Sequence, residues 1–260
     1  MTIAGTDSGG GAGVGADLKT FEAHGVWGTC AVVAVTAQNT LGVQAVETLS
    51  PELVRAQIVS VAGDIGVDAV KTGMLANPAI VAAVAAALAE IGGPPLVVDP
   101  VLVSKHGDPL LGSDAVLALR DQLLPIALVV TPNLPEAEAL TGVEIRDRSG
   151  MEEAAAVLAA SGVGTVLVKG GHLGGDDSPD LVWTAGIGTW LEGPRIPGRH
   201  THGTGCVLSA AITAELARGM DPGDACVAAK RFVERAIAAG VELGRGVGPV
   251  NPGWEQVESR

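Results

Sequence analysis

The amino-acid sequence predicts an α/β protein with a mostly parallel central sheet that is covered by helices on both faces. Two observations favour this fold. Short runs of Val, Leu, Ile and Ala alternate along the chain with longer segments that carry helical periodicity or helix-start signals. No linker, block of like charges or internal repeat interrupts the alternation. We therefore expect residues 1–260 to form a single domain.

The expected strands are short and apolar, and most end in a polar or glycine-bearing turn. Helices are expected where a capping residue precedes a periodic segment, as at Ser50-Pro51 and Asn77-Pro78. The predicted strands cover residues 1–4, 30–35, 67–70, 95–98, 126–130 and 165–168, and a β-hairpin joins 181–184 to 188–191 around Gly186. The predicted helices lie around 16–21, from 51, over 79–88, from 113, over 149–160 with Ser149 as the cap, and over 204–218 and 222–243.

Composition excludes several classes of partner. Apolar residues make up 47% of the chain, and the formal net charge of -13 argues against nucleic acid, whose phosphates need a basic surface. The apolar stretch 79–88 is much shorter than the roughly 20 residues that span a bilayer, so we expect no membrane segment. We also expect no signal peptide at the start of the sequence. Three cysteines cannot close a disulfide framework, and they indicate a reducing, cytoplasmic compartment: Cys30, Cys206 and Cys226.

The most informative stretch runs from His202 to Cys206, immediately before an apolar helix. Gly203 and Gly205 allow a tight turn and a close approach to a ligand, and Thr204 is predicted to cap the helix. Unpaired amides at a helix start, with the helix dipole behind them, bind phosphate or another oxyanion. Cys206 would lie in the first turn, where the pKa of a thiol tends to fall. The alternative is an ordinary glycine-rich turn before a packed helix.

A second glycine-rich loop, residues 5–13, joins the first strand to the first helix. It contains a weak match to the dinucleotide fingerprint at residues 11–16, but the next strand does not end in the acidic residue that would hold a ribose. Gln38 lies in the polar segment that follows that strand, residues 36–39. Its amide offers both a donor and an acceptor to a heteroaromatic ring with an adjacent amino group, although a plain strand-end hydrogen bond is the alternative.

Polar side chains also follow the ends of later strands, at the sheet edge where open α/β proteins bind ligands. Asp99 and the Asn133/Glu136 pair could hold Mg²⁺, or the two acids could simply begin helices. Three lysines beside glycine-bearing turns are candidates for holding a nucleotide phosphate: Lys71, Lys105 and Lys169. A zinc site formed by His200, His202 and Cys206 is a weaker alternative, because no fourth ligand has suitable spacing.

Taken together, these motifs resemble the hydroxymethylpyrimidine/phosphomethylpyrimidine kinases of thiamine synthesis. The likeness covers nearly the whole chain in the family's order. It is carried by Gly5-Thr6-Asp7, Gly10-Gly11-Ala12-Gly13, Ala16-Asp17-Leu18-Lys19, Ala37-Gln38-Asn39-Thr40, Lys71-Thr72-Gly73-Met74-Leu75, Val98-Asp99-Pro100-Val101, Gly107-Asp108-Pro109-Leu110-Leu111, Thr131-Pro132-Asn133-Leu134-Pro135-Glu136, Val168-Lys169-Gly170-Gly171-His172, Thr201-His202-Gly203-Thr204-Gly205-Cys206 and Gly246-Val247-Gly248-Pro249-Val250.

The resemblance implies a ribokinase-like, three-layer α/β/α fold and an activity that uses ATP and Mg²⁺. Such an enzyme phosphorylates 4-amino-5-hydroxymethyl-2-methylpyrimidine and then converts the monophosphate to the diphosphate. By the resemblance, the pyrimidine is bound by Gln38, Asp17, Gly5, Met74 and Val101, and the nucleotide by Lys169, Asn133 and Thr204. The metal is held by Asp99 and Glu136, and phosphoryl transfer is carried out by Cys206, Gly203, Gly205 and Lys169. Cys206 either accepts the hydroxyl proton as a partly ionised thiolate or only orients the hydroxyl.

Three other functions are open on the sequence. A pyridoxal kinase of the same superfamily would phosphorylate a similar hydroxymethyl group. A non-catalytic pyrimidine sensor would not need an anion-binding loop, and a dinucleotide oxidoreductase would need the acid that is missing after residue 35. By the resemblance, the chain is expected to be a homodimer that acts on a small molecule.

Overall fold

Eight strands form one central sheet in the computed structural model, which describes residues 1–102, 112–171 and 173–255. The strands of the chain are β1 (Thr2–Ala4), β2 (Cys30–Val32), β3 (Ala34–Asn39), β4 (Gly42–Thr48), β5 (Val70–Thr72), β6 (Leu96–Val98), β7 (Val129–Val130), β8 (Thr165–Lys169), β9 (Asp180–Thr184) and β10 (Ile187–Leu191). The central sheet has the order β10-β9-β8-β7-β6-β5-β1-β2, and β3 pairs with β4 in a separate two-stranded sheet. All neighbouring pairs from β8 to β2 are parallel, whereas β9 and β10 are antiparallel.

Helices cover both faces of this sheet. They are α1 (Gly13–Ala23), α2 (Pro51–Asp64), α3 (Pro78–Glu90), α4 (Ser113–Gln122), α5 (Leu134–Thr141), α6 (Arg148–Ala160), α7 (Thr204–Ala217) and α8 (Pro222–Ala238). Alternation along the strands divides the core in two. Val98 and Val130 pack with α2, α3 and α6 on one side, whereas Val97 and Val129 pack with α7 and α8 on the other. The expected three-layer α/β/α architecture is therefore confirmed.

Several element starts follow from local capping. Ser50 accepts a hydrogen bond from the amide of Leu53, and Asn77 accepts one from the amide of Ile80; each cap is followed by Pro at the first helical position. These satisfied first-turn amides explain why both starts were predictable. The predicted cap of α6 was wrong by two residues, because Asp147, not Ser149, accepts from the amide of Gly150.

Other boundaries also differ from the sequence prediction. The strand expected over 126–130 is only β7, since residues 124–126 form a 3₁₀ turn. The strand expected over 67–70 begins at Val70 and includes Lys71, and α8 ends at Ala238 instead of 243. The strand expected over 30–35 divides between two sheets, and β4 was not predicted. Helix α5 was expected only under the alternative in which Glu136 begins a helix.

Candidate active site

The site lies at the carboxyl ends of the parallel strands, where the start of α7 faces the ends of β1, β6 and β8. Gly203 is the N-cap of α7, with φ 82° in the left-handed region, and no side chain caps the helix. Thr204 is the first helical residue, and its hydroxyl donates to the carbonyl oxygen of Thr201 at 2.8 Å. The prediction that Thr204 caps α7 is therefore wrong. In the described part of the chain, no side chain accepts a hydrogen bond from this helix start, so the amides of Gly205 and Cys206 are available to an anion, whereas the amide of Thr204 donates to the carbonyl oxygen of Thr201. We call residues 203–206 the anion loop.

A charged cluster of three side chains lies beside the anion loop. The ammonium of Lys169 is 3.3 Å from Oδ1 of Asp99 and 3.7 Å from Oε2 of Glu136. Thr131 and Ser209 also donate to Asp99. Gly205 is next to the cluster, because a Cβ added there would lie 3.4 Å from Nζ of Lys169. Four residues that the sequence placed at separate strand and helix ends therefore converge.

Glu136 has two roles in this arrangement. It forms a capping box with Asn133, in which each side chain accepts the other residue's amide hydrogen at 2.8–2.9 Å. The alternative that Glu136 begins a helix is thus correct, and the same carboxylate also faces Lys169. Burial raises the pKa of Glu136 to about 7, although the charge of Lys169 opposes the increase. Burial alone would lower the pKa of the Lys169 ammonium, but Asp99 and Glu136 raise it above its usual value.

Cys206 does not have the lowered pKa that its position in a first helical turn suggested. Burial raises the pKa of this thiol to about 11, and the nearby Lys71 ammonium and the amide of Gly13 only partly offset the effect. At neutral pH the thiol is therefore protonated. The expectation of a lowered thiol pKa at this helix start is therefore wrong, because loss of solvation outweighs the Lys71 charge and the Gly13 amide.

Asp17 and Lys71 form an ion pair beneath the site. Both side chains have no solvent exposure, and their charged atoms are 2.8 Å apart. The second carboxylate oxygen of Asp17 accepts from the hydroxyl of Thr2 at 2.6 Å. The structure thus contradicts two expectations, since Asp17 has no free surface for the pyrimidine and Lys71 cannot reach a nucleotide. Lys105, the other lysine candidate, lies outside the described residues.

On the other side of the anion loop, a second group of side chains surrounds the residue 5–13 loop. Gly5 is so close to Met74 that an added Cβ would lie 2.5 Å from the terminal methyl carbon. Gln38 is half-buried, and its amide nitrogen is 3.5 Å from Nε2 of His202. Val101 is also half-buried and follows Asp99 directly. Gly5, Met74 and Gln38 therefore lie on this side of the anion loop, and their binding of the pyrimidine stays a prediction.

Asp7 is the main residue of this region that sequence reasoning missed. One of its oxygens accepts the amide of Gly9, and the other accepts the amides of Gly11 and Ala12 and lies 2.8 Å from Nε2 of His202. Hydrogen bonds from His202 and the loop amides lower the pKa of Asp7 despite its burial. An acidic residue just before a run of glycines was the available signal, because Asp commonly accepts from following amides.

The zinc site that the sequence offered as an alternative, at His200, His202 and Cys206, is not formed. Within residues 1–102, 112–171 and 173–255, no three His, Cys, Asp or Glu side chains are arranged to hold a metal ion. Nε2 of His202 faces Asp7, and Nε2 of His200 is 3.8 Å from Glu242. In the same parts of the chain, every helix is too short or too polar to cross a bilayer.

Residues 7–251 match the model of the phosphomethylpyrimidine kinase family. This chain belongs to that family. It is 52% identical over 254 residues to the hydroxymethylpyrimidine/phosphomethylpyrimidine kinase of Streptomyces coelicolor, covering 98% of this chain and 94% of the relative. It is 50% identical to the corresponding kinase of Rhizobium meliloti, covering 96% and 95% of the two chains.

Solved structures confirm the ribokinase-like fold of this kinase. A Bacillus subtilis pyridoxal kinase in complex with ADP superposes with a TM-score of 0.91 at 39% identity and covers 98% of this chain and 97% of its own. A phosphomethylpyrimidine kinase from Clostridium difficile superposes with a TM-score of 0.81 at 41% identity, covering 91% and 97%. The family and fold inferred from the sequence motifs are both confirmed.

Proposed function

We propose that this kinase transfers the terminal phosphoryl group of ATP to the hydroxyl of 4-amino-5-hydroxymethyl-2-methylpyrimidine and then to the resulting monophosphate, for thiamine biosynthesis. The observation that carries the proposal is the position of the anion loop. The loop lies between the Lys169 cluster on one side and Gly5, Met74 and Gln38 on the other. Phosphoryl transfer requires mainly positioning and neutralisation of charge, and both are available at this point.

The pyrimidine occupies the side that contains Gln38. The amide of Gln38 can donate to a ring nitrogen and accept from an adjacent amino group. Met74 and Val101 pack on the ring, and the backbone at Gly5 closes the pocket because a side chain there would overlap Met74. Asp17 acts indirectly in this arrangement, by holding Lys71 beneath the floor of the site.

ATP occupies the side that contains Lys169. This lysine neutralises the transferring phosphate, and Asn133 and Thr204 border the nucleotide. The donor set also fits Mg²⁺, because this metal commonly takes one or two protein carboxylates with phosphate and water oxygens. Two carboxylates are gathered here, each within 4 Å of the Lys169 ammonium. Asp99 and Glu136 would hold the ion, which when bound neutralises phosphate charge.

The anion loop stabilises the transferring group through the first-turn amides of α7. The substrate hydroxyl attacks the terminal phosphorus, and the bond between that phosphorus and the β–γ bridging oxygen breaks to release ADP. The hydroxyl proton passes to an oxygen of the transferred phosphate or to water as the new bond forms. A loose transition state needs little assistance from a base. With a pKa of about 11, Cys206 orients the hydroxyl as a neutral thiol instead of removing its proton beforehand.

A second candidate activity is phosphorylation of pyridoxal, which the TM-score of 0.91 to a pyridoxal kinase favours. Both acceptors carry a hydroxymethyl group on a nitrogen heteroaromatic ring. Purified protein should be assayed with ATP, Mg²⁺ and each acceptor, with monophosphate and diphosphate products separated by chromatography. We expect the pyrimidine to give both products at a kcat/KM at least tenfold above that for pyridoxal; turnover of pyridoxal alone would contradict the proposal.

We also propose that residues 1–260 act as one domain, that the kinase works in the cytoplasm and that it forms a homodimer. Eight strands between Thr2 and Leu191 share one sheet, which supports a single domain. Three free cysteines support a reducing compartment. The β3–β4 hairpin exposes Val35, Leu41 and Val46, which supports burial of this segment by a second copy. Light scattering at micromolar concentration should give twice the mass of one chain.

A further inference from the structure

Lys230, on α8, is a buried lysine that the proposed reaction does not use. Only 7% of the residue is exposed. Its ammonium is 2.9 Å from Oδ2 of Asp180, 2.9 Å from the carbonyl oxygen of Ser178 and 3.7 Å from Oε1 of Glu234. A buried ion pair of this kind is weak evidence for stability, because apolar side chains of similar volume often serve as well.

Asp180 connects Lys230 to the nucleotide side of the site. Its other oxygen, Oδ1, accepts a hydrogen bond from the amide of Gly170 at 2.9 Å. Asp180 is also paired directly with Lys169 in the antiparallel register of β8 and β9. The carboxylate thus uses one oxygen for a cation on α8 and the other for the residue that follows Lys169.

Gly170 transmits this constraint because it fits tightly. A Cβ added to Gly170 would lie 3.0 Å from the carbonyl carbon of Pro179, so the turn is seated directly against the chain that leads into β9. The amide of Lys169 is fixed on the opposite side by the carbonyl oxygen of Pro132 at 2.8 Å. The backbone on both sides of the Lys169 side chain is therefore held by specific contacts.

We propose that Asp180, held in place by Lys230, is a positioning residue for the ATP half of the active site. It fixes Gly170 and thereby sets the direction in which Lys169 extends toward Asp99 and Glu136. This inference rests on the proposed role of Lys169 toward ATP. Because Gln38 and Met74 lie on the opposite side of the anion loop, the contact governs use of ATP and leaves recognition of the pyrimidine unchanged.

Two double variants test the contact without leaving an unpaired buried charge. Asp180→Asn with Lys230→Met keeps an oxygen that can accept from Gly170, whereas Asp180→Ala with Lys230→Met removes it. We expect the first variant to keep the KM for ATP within threefold of wild type and the second to raise it at least tenfold. The KM for the pyrimidine should change less than twofold in both. Arg231→Met, the adjacent exposed position on α8, is the matched control and should change neither KM.

The same comparison can be made without turnover, by measuring the Kd for ADP calorimetrically. Failure of the wild type to phosphorylate the pyrimidine would count against the proposed function, whereas the two double variants would still report on the contact through ADP binding. Equal ADP affinity and equal ATP KM in both double variants would overturn the inference. So would a parallel rise of both KM values together with a fall in Tm, which is the result expected of a residue that only stabilises the fold.

Discussion

Replacing Gly203 with Ala should remove catalysis while leaving most of the fold intact. The backbone of Gly203 has φ 82°, and an alanine in left-handed conformation costs about 1–2 kcal/mol. The new Cβ would also lie 2.9 Å from the carbonyl carbon of Gly11 and 3.5 Å from Cα of Ala12. Carbon atoms pack favourably at about 3.5–4 Å, so the anion loop must move away from the residue 5–13 loop.

A shift of this kind has a large effect on the reaction because it displaces several amides together. Loss of one preorganised oxyanion donor typically lowers kcat by about 100- to 1,000-fold, which corresponds to about 3–4 kcal/mol. We therefore expect Gly203→Ala to lower kcat for pyrimidine phosphorylation at least 100-fold. The strain should lower the unfolding free energy by only a few kcal/mol, a loss that most domains of this size tolerate.

The assay is steady-state phosphorylation with both substrates saturating, accompanied by thermal unfolding of each variant. Gly63→Ala is the matched control, because Gly63 is exposed in α2 and an added Cβ would meet nothing within 4 Å. This control should keep wild-type kcat and gain up to about 1 kcal/mol of stability from helix propensity. A folded Gly203→Ala variant with kcat within threefold of wild type would refute the role of the anion loop.

Four further substitutions probe the rest of the site. Gln38→Leu should raise the KM for the pyrimidine at least tenfold and leave the KM for ATP unchanged; equal changes in both would place Gln38 outside the pyrimidine pocket. Glu136→Gln keeps the capping box, because the amide oxygen of Gln can accept the same hydrogen bond. The variant should need a higher Mg²⁺ concentration for half-maximal activity. An unchanged Mg²⁺ requirement would exclude the Glu136 carboxylate as a ligand. The pKa of Glu136 is about 7 in the folded protein, against an ordinary value of 4.5 that applies to the unfolded chain. Between these two pH values the folded state keeps a proton that the unfolded chain has lost, so the unfolding free energy falls as pH rises from about 4.5 to about 7. In chemical denaturation, Glu136→Gln should therefore gain stability relative to wild type across that window, and a constant difference would contradict the shift. Cys206→Ser should retain at least a tenth of wild-type kcat. The wild-type pH–rate profile should show no Cys206 ionisation between pH 7 and 9, since the pKa of the thiol is about 11. A rise in rate near pH 8 that is present in the wild type and absent from the variant would show that Cys206 acts as a base. Lys71→Met should lower the unfolding free energy by about 3–5 kcal/mol, because it leaves the Asp17 carboxylate buried without its cation, and a fully stable variant would show that the pair is dispensable.

Much of the fold could be predicted because its signals are local. The Ser50-Pro51 and Asn77-Pro78 starts carry both the cap and the proline, and the apolar strands alternate with helices in a regular order. The β4 strand was missed because most of its residues are exposed and it pairs only with β3, so it lacks the apolar run that marks a buried strand.

The site was predictable to the extent that strand ends identify it. Asp99, Glu136 and Lys169 are brought together by the parallel register of β6, β7 and β8, which places the ends of these strands side by side. Burial was not predictable in the same way. The sequence around Asp17 gives no indication that its carboxylate has no exposed surface. The sequence around Cys206 likewise gives no indication that burial raises the pKa of its thiol.

The position of the transferring phosphoryl group is the central claim, and a crystal structure with ADP, aluminium fluoride and the hydroxymethylpyrimidine tests it most directly. The planar aluminium fluoride takes the place of the transferring phosphoryl group, and its fluorine atoms should lie within about 3 Å of the amide nitrogens of Gly205 and Cys206. It should lie between the Lys169 ammonium and the substrate hydroxyl, with the pyrimidine ring against Gln38. A fluoride bound away from these amides, or a pyrimidine ring outside the pocket formed by Gln38, Gly5 and Met74, would contradict the account.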